Sequence, residues 1–230
     1  MAVFAVIGLG QLGAAVARQL TEGGGEVIAL DRNEARVDNV KDHVARAFCM
    51  DATDERSLRA TGIADSSTVV LALGENQLEE AVLATMLLRD LGVGRIIARA
   101  GTEVQAKVLE RLGVSKVIFP ERQIGMQIAR QLLMPTVREV VPLADDASLA
   151  EVEVPRAFVG KSLADLKLRA QYGVNAVALK RRHEVVQDDG SAKHRETVVS
   201  NLGPETVLEL GDILVVVGDD KAVRTLAAAS

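Results

Sequence analysis

The chain has 230 residues, a formal net charge of −5, 48% apolar residues, 2% aromatics and a single cysteine, Cys49. So few aromatic rings leave no stacking platform for single-stranded nucleic acid, and the acidic balance argues against any nucleic-acid polymer as partner. One cysteine excludes an intrachain disulfide and a cysteine-rich zinc site and fits a reducing, cytoplasmic setting, while no apolar run approaches the ~18 residues of a membrane span.

The chain opens MAVFAVIGLGQLGAAVARQL. The apolar start lacks the basic residues of a signal peptide and runs straight into a glycine loop, which predicts a strand. From there to about residue 134 short β-branched or apolar runs alternate with helical patterns. The predicted strands are VFAVIG, EVIALD, VARAFC, TVVLAL, RIIARA and KVIF. The predicted helices are QLGAAVARQL, NEARVDNV, TDERSLRA, NQLEEAVLATMLLRDLG, TEVQAKVLERLG and ERQIGMQIARQLL. Strand–helix alternation of this kind predicts an α/β fold, a Rossmann-like doubly wound parallel sheet in the order 3-2-1-4-5-6.

All five prolines lie at Pro120 or later, and Met134-Pro135 reads as a linker. It divides a domain of residues 1–134 from a second domain of residues 135–230. There LAEVEVP and NAVALKRR read as strands, with SLADLKLRAQYG as one short helix between them. ETVV, TVLE and DILVVVGD follow as strands, and KAVRTLAAA as a last helix. HEVVQDDGSAKH reads as an exposed polar loop with a Gly-Ser turn. The second domain is thus a small α+β domain.

The glycine loop carries the first functional signal. Gly8 permits a tight turn out of the strand, Gly10 lets backbone approach a phosphate, and Gly13 lets the helix pack close on the sheet. The first-turn amides, with Gln11 and Leu12 among them, then favour an anion. Asp31 ends the second strand, where a carboxylate accepts from ribose hydroxyls and repels a 2′-phosphate. NAD or an adenine nucleotide is therefore expected over NADP, with Arg32 next door as the one residue suited to a 2′-phosphate. The strand end carrying Asp31 is expected to be exposed.

The other strand ends converge on the same edge: Asp51-Ala52-Thr53 after the third, Gly74-Glu75-Asn76 after the fourth, Arg99 ending the fifth and Glu121 after the sixth. Each has a plainer reading. Thr53 or Asn76 can cap a helix, Glu121 can complement a helix N-terminus, and Arg99 can be a solvated charge. Cys49, ending an apolar strand, reads as buried and inert.

A dehydrogenase needs a group to move a proton alongside the hydride. His43 precedes the third strand, near the wrong end of the sheet, and His183 and His194 flank the polar loop. Tyr172 is the only tyrosine and no Tyr-x-x-x-Lys pairing exists. A small NAD-dependent oxidoreductase is the alternative reading; a nucleotide-binding module without chemistry of its own is the favoured one.

VIGLGQLG, Asp31, FCMDATDE, Phe119-Pro120-Glu121 followed by IGMQIA, LRAQYGVNAVALKR and LELGDILVVVGD together resemble the KtrA/TrkA family. These are cytosolic regulatory subunits of bacterial potassium uptake systems, built from RCK domains, and the resemblance runs from residue 1 to about 226. It implies an RCK N-terminal domain at 1–134 that binds NAD(H), ATP or ADP, and an RCK C-terminal (TrkA-C) domain at 135–230 that dimerises. It implies a homodimer, with the helix from Glu121 to Leu133 pairing subunits, assembling into an octameric ring beneath a membrane-embedded potassium-translocating subunit at the inner face of the cell membrane. Residue by residue, Gly8, Gly10 and Gly13 match the phosphate loop, Asp31 the ribose-binding acid, and Asp51 and Ala52 the adenine-side turn. Arg99 matches a basic residue near the phosphates. Glu121 matches a glutamate near the paired subunit's nucleotide, where Mg2+ or another divalent cation binds. Arg169 and Asn175 match positions that hold cyclic di-AMP in some members, with a helix-surface arginine and a turn asparagine as the plainer reading. At Gln11 family members that discriminate ATP from ADP commonly carry arginine, reaching the terminal phosphate held by the paired subunit.

Overall fold

A computed structural model describes residues 2–144, 146–186 and 192–229. The chain divides into two compact units, Met1–Ile124 and Gly125–Ser230.

In the first unit, β1 (Val3–Ile7), β2 (Glu26–Asp31), β3 (Arg46–Cys49), β4 (Thr68–Leu71), β5 (Ile96–Arg99) and β6 (Lys116–Ile118) form one sheet in the order β3-β2-β1-β4-β5-β6. All its pairings are parallel. The linking helices are α1 (Gln11–Glu22), α2 (Glu34–Asp38), α3 (Glu55–Ala60), α4 (Leu78–Asp90) and α5 (Glu103–Arg111), and α6 (Pro120–Leu133) follows β6.

The central strands β1, β2 and β4 are buried on both faces, and the alternation of side chains sorts them. Ala5, Ile7, Ile28, Leu30, Val69 and Leu71 join one core cluster with Leu58 of α3, Leu88 of α4 and Leu109 of α5. Val6, Val27, Ala29 and Val70, one register position away, join the other with Ala17 of α1 and Val37 of α2. Two apolar faces on one parallel sheet require helices on both, which makes the unit doubly wound. The strand order reverses between β1 and β4, so their carboxyl ends diverge and leave a crevice there.

The second unit holds an antiparallel sheet in the order β10-β9-β11-β8-β7. Its strands are β7 (Val137–Pro142), β8 (Ala147–Glu153), β9 (Asn175–Val186), β10 (Ala192–Val199) and β11 (Ile213–Asp219). The short helices α7 (Leu163–Leu166), α8 (Leu168–Tyr172) and α9 (Asp220–Ala227) complete it. One core cluster joins Ala150, Val152, Leu179, Leu214 and Val216 of the sheet to Leu166, Leu168 and Leu226 of the helices.

Three expectations are corrected here, and one strand is added to them. SLADLKLRAQYG is two helices, because Lys167 takes a left-handed φ of 44° between them. Leu166 and Leu168 on either side are both buried, and residues i and i+2 of a continuous helix cannot face one core. TVLE is not a strand; Val207 makes an isolated bridge to Ser162. β7 was not anticipated: it is an edge strand with an irregular register, and its closing proline is tolerated only at such an edge. Most of HEVVQDDGSAKH is strand, with β9 running to Val186 and β10 beginning at Ala192; its Gly-Ser turn lies outside the described residues.

Candidate functional site

The loop between β1 and α1 is shaped by two glycines. Gly8 has φ +89°, and a Cβ there would stand 2.9 Å from the Ala72 carbonyl oxygen. A Cβ on Gly13 would sit 1.8 Å from the Gly8 carbonyl oxygen, so α1 packs on the strand end only because Gly13 has none. Gly10 differs: nothing lies within 4 Å of a Cβ placed on it, and its φ of −64° suits any residue. The space over Gly10 belongs to a cavity of about 330 Å³ at the carboxyl ends of β1, β2 and β4. α1 opens beside it with no acidic residue in its first turn, so its unpaired amides and dipole stay free for an anion.

Asp31 is buried, at 6% exposure, and not at an exposed strand end as expected. Its Oδ2 accepts from the Leu9 amide at 2.6 Å, and its Oδ1 from the Asn33 amide at 2.8 Å. Arg36, 53% exposed, places a guanidinium nitrogen 3.5 Å from Oδ2. The glycine loop draws the carboxylate inward, so one side chain shapes the phosphate loop and floors the cavity. A carboxylate has about four acceptor positions; three are engaged here, one of them by the long Arg36 contact, which leaves capacity for a ribose hydroxyl.

On the far wall the Asp51 Oδ1 accepts from the amide of Thr53 at 2.8 Å and from its hydroxyl at 2.7 Å. These two bonds hold the Asp51 carboxyl below its ordinary range. Thr53 therefore braces the turn, and Asp54 caps α3 instead. Gln77, not Asn76, stands at the N-cap of α4, and its side-chain oxygen accepts from the Gly74 amide at 3.0 Å. Asn76 is exposed.

Arg99 lines the cavity with only 19% of its side chain exposed, so it is not a solvated surface charge. It donates to Glu121 Oε1 at 2.7 Å and lies 3.8 Å from Glu75 Oε1, while its buried Nε has no partner.

Of the sequence-predicted residues, the cavity brings together Gly8, Gly10, Asp31, Arg32, Asp51, Ala52, Thr53, Gly74 and Arg99. Gln11, Leu12, Gly13, Glu75, Asn76 and Glu121 lie outside its lining. Leu12 packs in the core beside α1, and Gln11 is exposed. Sequence reasoning missed Asn33, Arg36, Met50, Gln77 and Glu80, which also line it. Asn33 had a signal, since it caps α2 right after Asp31. Arg36 and Glu80 had none, because a helix-surface charge is the ordinary reading of either. Glu80 stands 3.6 Å from Arg32. Cys49 is exposed, against expectation: β3 is an edge strand, and the thiol reaches the Arg32 carbonyl at 3.7 Å.

In the second unit Arg169 and Asn175 line a common surface pocket of about 380 Å³ with Lys167, at the junction of α8 and β9. Among the described residues no group of three or more His, Cys, Asp or Glu side chains is placed to hold a metal ion. No helix there is long and apolar enough to cross a membrane.

Comparison with known proteins joins the two units. The model of the TrkA-N domain matches residues 4–120 and that of the TrkA-C domain residues 149–229. The chain is 35% identical to the Ktr system potassium uptake protein C of Bacillus subtilis, over 94% of this chain and 91% of that protein. It is 33% identical to the Ktr system potassium uptake protein A of Vibrio alginolyticus, over 97% and 96%. Among solved structures it is similar to the GsuK channel bound to NAD, with a TM-score of 0.53 and 25% identity over 98% of this chain. It spans only 38% of that longer chain.

Proposed function

The chain belongs to the KtrA/TrkA family, and on that premise we propose that it is a nucleotide-sensing regulatory subunit of a potassium transporter, with no catalysis of its own. The observation that carries this reading is the cavity over Gly10. It lies at the strand-order reversal, beside the opening turn of α1, and is floored by a ribose-type carboxylate. The same cavity presents no histidine or tyrosine to move a proton, which disfavours the oxidoreductase alternative.

In this reading Gly8, Gly10 and the amides of Gln11 and Leu12 hold a phosphate, and Gly13 keeps them in place. Asp31 takes a ribose hydroxyl, Asp51, Ala52 and Thr53 flank the adenine, and Arg99 stands near the phosphates, with Gly74 lining the same wall and Glu75 and Asn76 just outside it. The ligand is NAD(H) or ATP/ADP; the GsuK channel, similar in fold and sequence, has been solved with NAD. The nucleotide-binding domain is residues 1–134 and the TrkA-C domain residues 135–230. Glu121 is the candidate residue for Mg2+ or another divalent cation, with the other donors coming from the paired subunit's nucleotide, since among the described residues no group of three ligating side chains surrounds it. Arg169 and Asn175 are the candidates for cyclic di-AMP in the second domain.

Subunits pair through α6 and assemble into an octameric ring against a membrane-embedded potassium-translocating partner, at the cytoplasmic face of the membrane. A nucleotide can then gate the partner only by binding two ring states unequally. A thermal-shift panel of NAD, NADH, ATP, ADP and cyclic di-AMP, with and without magnesium, tests the ligand assignment. Potassium flux through the reconstituted partner that responds to nucleotide supports the regulator. Turnover of NADH with hydroxy or keto acids overturns it.

A further inference from the structure

Arg99 is the one cavity-lining residue whose charge is held by groups outside the cavity. Its guanidinium is paired with Glu121, in the first turn of α6, and lies near Glu75, and neither acid lines the cavity. Its Nε is buried and without a hydrogen-bond partner. An arginine with one hydrogen-bonded acid, a second acid at 3.8 Å and one donor left unpaired, on the wall of a cavity suited to an anion, can turn to another acceptor. We propose that Glu121 is a built-in competitor for the ligand's phosphate: a phosphate entering the cavity draws Arg99 away from Glu121 and so releases a carboxylate at the start of α6. This deepens the nucleotide reading and rests on it.

The geometry favours exchange over sharing. Arg99 offers a fixed fork of five N–H donors, and the 2.7 Å bond to Glu121 uses the end that a bidentate phosphate contact needs. Glu121 is 56% exposed, so once released it is readily hydrated, and the exchange has a low cost. By reciprocity, whatever holds Glu121 elsewhere strengthens phosphate binding by the same factor.

The test is calorimetric titration of the full-length protein with ADP and with NAD in EDTA, for wild type, Glu121→Gln, Arg99→Gln and the double variant. Glu121→Gln is expected to tighten binding about three- to tenfold by removing the competitor. Arg99→Gln is expected to weaken it about tenfold. In the Arg99→Gln background the Glu121→Gln change is expected to have no effect. Equal tightening in both backgrounds overturns the proposal, because it marks only the general loss of a negative charge near an anion. Unchanged or weaker binding by Glu121→Gln also overturns it. If wild type binds neither ligand, the nucleotide assignment itself falls. Arg99→Lys, which keeps the charge, guards against misfolding and is expected to restore most of the affinity lost in Arg99→Gln.

Discussion

The amide of Leu9, between the first two glycines of the loop, donates to Oδ2 of Asp31 at 2.6 Å, and the carboxylate that receives it is buried. The acid at the end of β2 is therefore part of the loop's construction as well as a candidate ligand group. Asp31→Ala is expected to lower the stability of the first unit by about 1.5–3 kcal/mol, the range for a hydrogen bond to a charged group. It should also weaken adenine-nucleotide affinity. Thermal denaturation and calorimetry on the same variant measure both. Full stability with lost affinity would show the Leu9 contact to be dispensable.

That double duty marks where sequence reading stops. The strand order and the faces were legible, since runs such as VFAVI and EVIALD can only be buried on both sides. The glycine spacing and Asp31 located the cavity. What could not be read was which polar groups the loop itself consumes. The burial of Asp31 and the pairing of Arg99 with Glu121 depend on contacts between residues 22 apart in the chain, and the inward reach of Arg36 on how α2 folds back over the end of β2. In the second unit the period was misread at Lys167, where a left-handed residue splits a helix with no glycine to announce it.

The glycines of the loop separate cleanly by experiment. Gly13→Ala drives a Cβ into the Gly8 carbonyl and is expected to destabilise by at least about 3 kcal/mol, the upper end of overpacking costs. Gly10→Ala meets nothing and is expected to cost under about 1 kcal/mol, as for a poorer N-cap residue. Its loss should fall on nucleotide affinity instead. If Gly10→Ala binds NAD and ADP as wild type does, the phosphate does not approach this backbone.

Asp212 in the second unit is 2% exposed and accepts from Arg181 Nε at 3.1 Å, from a terminal nitrogen of Arg181 at 2.9 Å, and from the Glu209 amide at 2.9 Å. Arg181→Met leaves this carboxylate with the amide alone. The expected cost is about 3 kcal/mol, as for a buried charge deprived of its partner. The Arg181→Met/Asp212→Leu pair should recover part of it. Urea unfolding of the three variants checks the order.

α6 exposes Ile124, Met126, Ile128, Leu132 and Leu133 at 46–81%, more apolar surface than one helix leaves open without a partner. The protein is expected to be a dimer or larger at micromolar concentration. Ile128→Glu should weaken association by about 1.5–3 kcal/mol, the value of burying one such side chain. Light scattering decides it; a monomeric wild type would remove the pairing assigned to α6.

Gln11 is an exposed loop residue that does not line the cavity of its own chain. It begins α1, so its side chain, unlike its backbone amide, is placed for a phosphate outside that cavity, as at a paired subunit. An amide there can donate to a phosphate but lacks the charge and fork of arginine. A charge-assisted contact contributes about 1.5–3 kcal/mol against about 0.5–1.5 for a neutral one. ATP and ADP are therefore expected to bind within tenfold of each other. Gln11→Arg should open a gap in favour of ATP of about 1 kcal/mol or more, while leaving the affinity of an isolated first domain unchanged. Paired titrations of wild type and variant with the two nucleotides measure the gap. A wild type that already prefers ATP by more than tenfold, about 1.4 kcal/mol, with no gain from arginine, would assign the reading of the third phosphate to Arg99 instead.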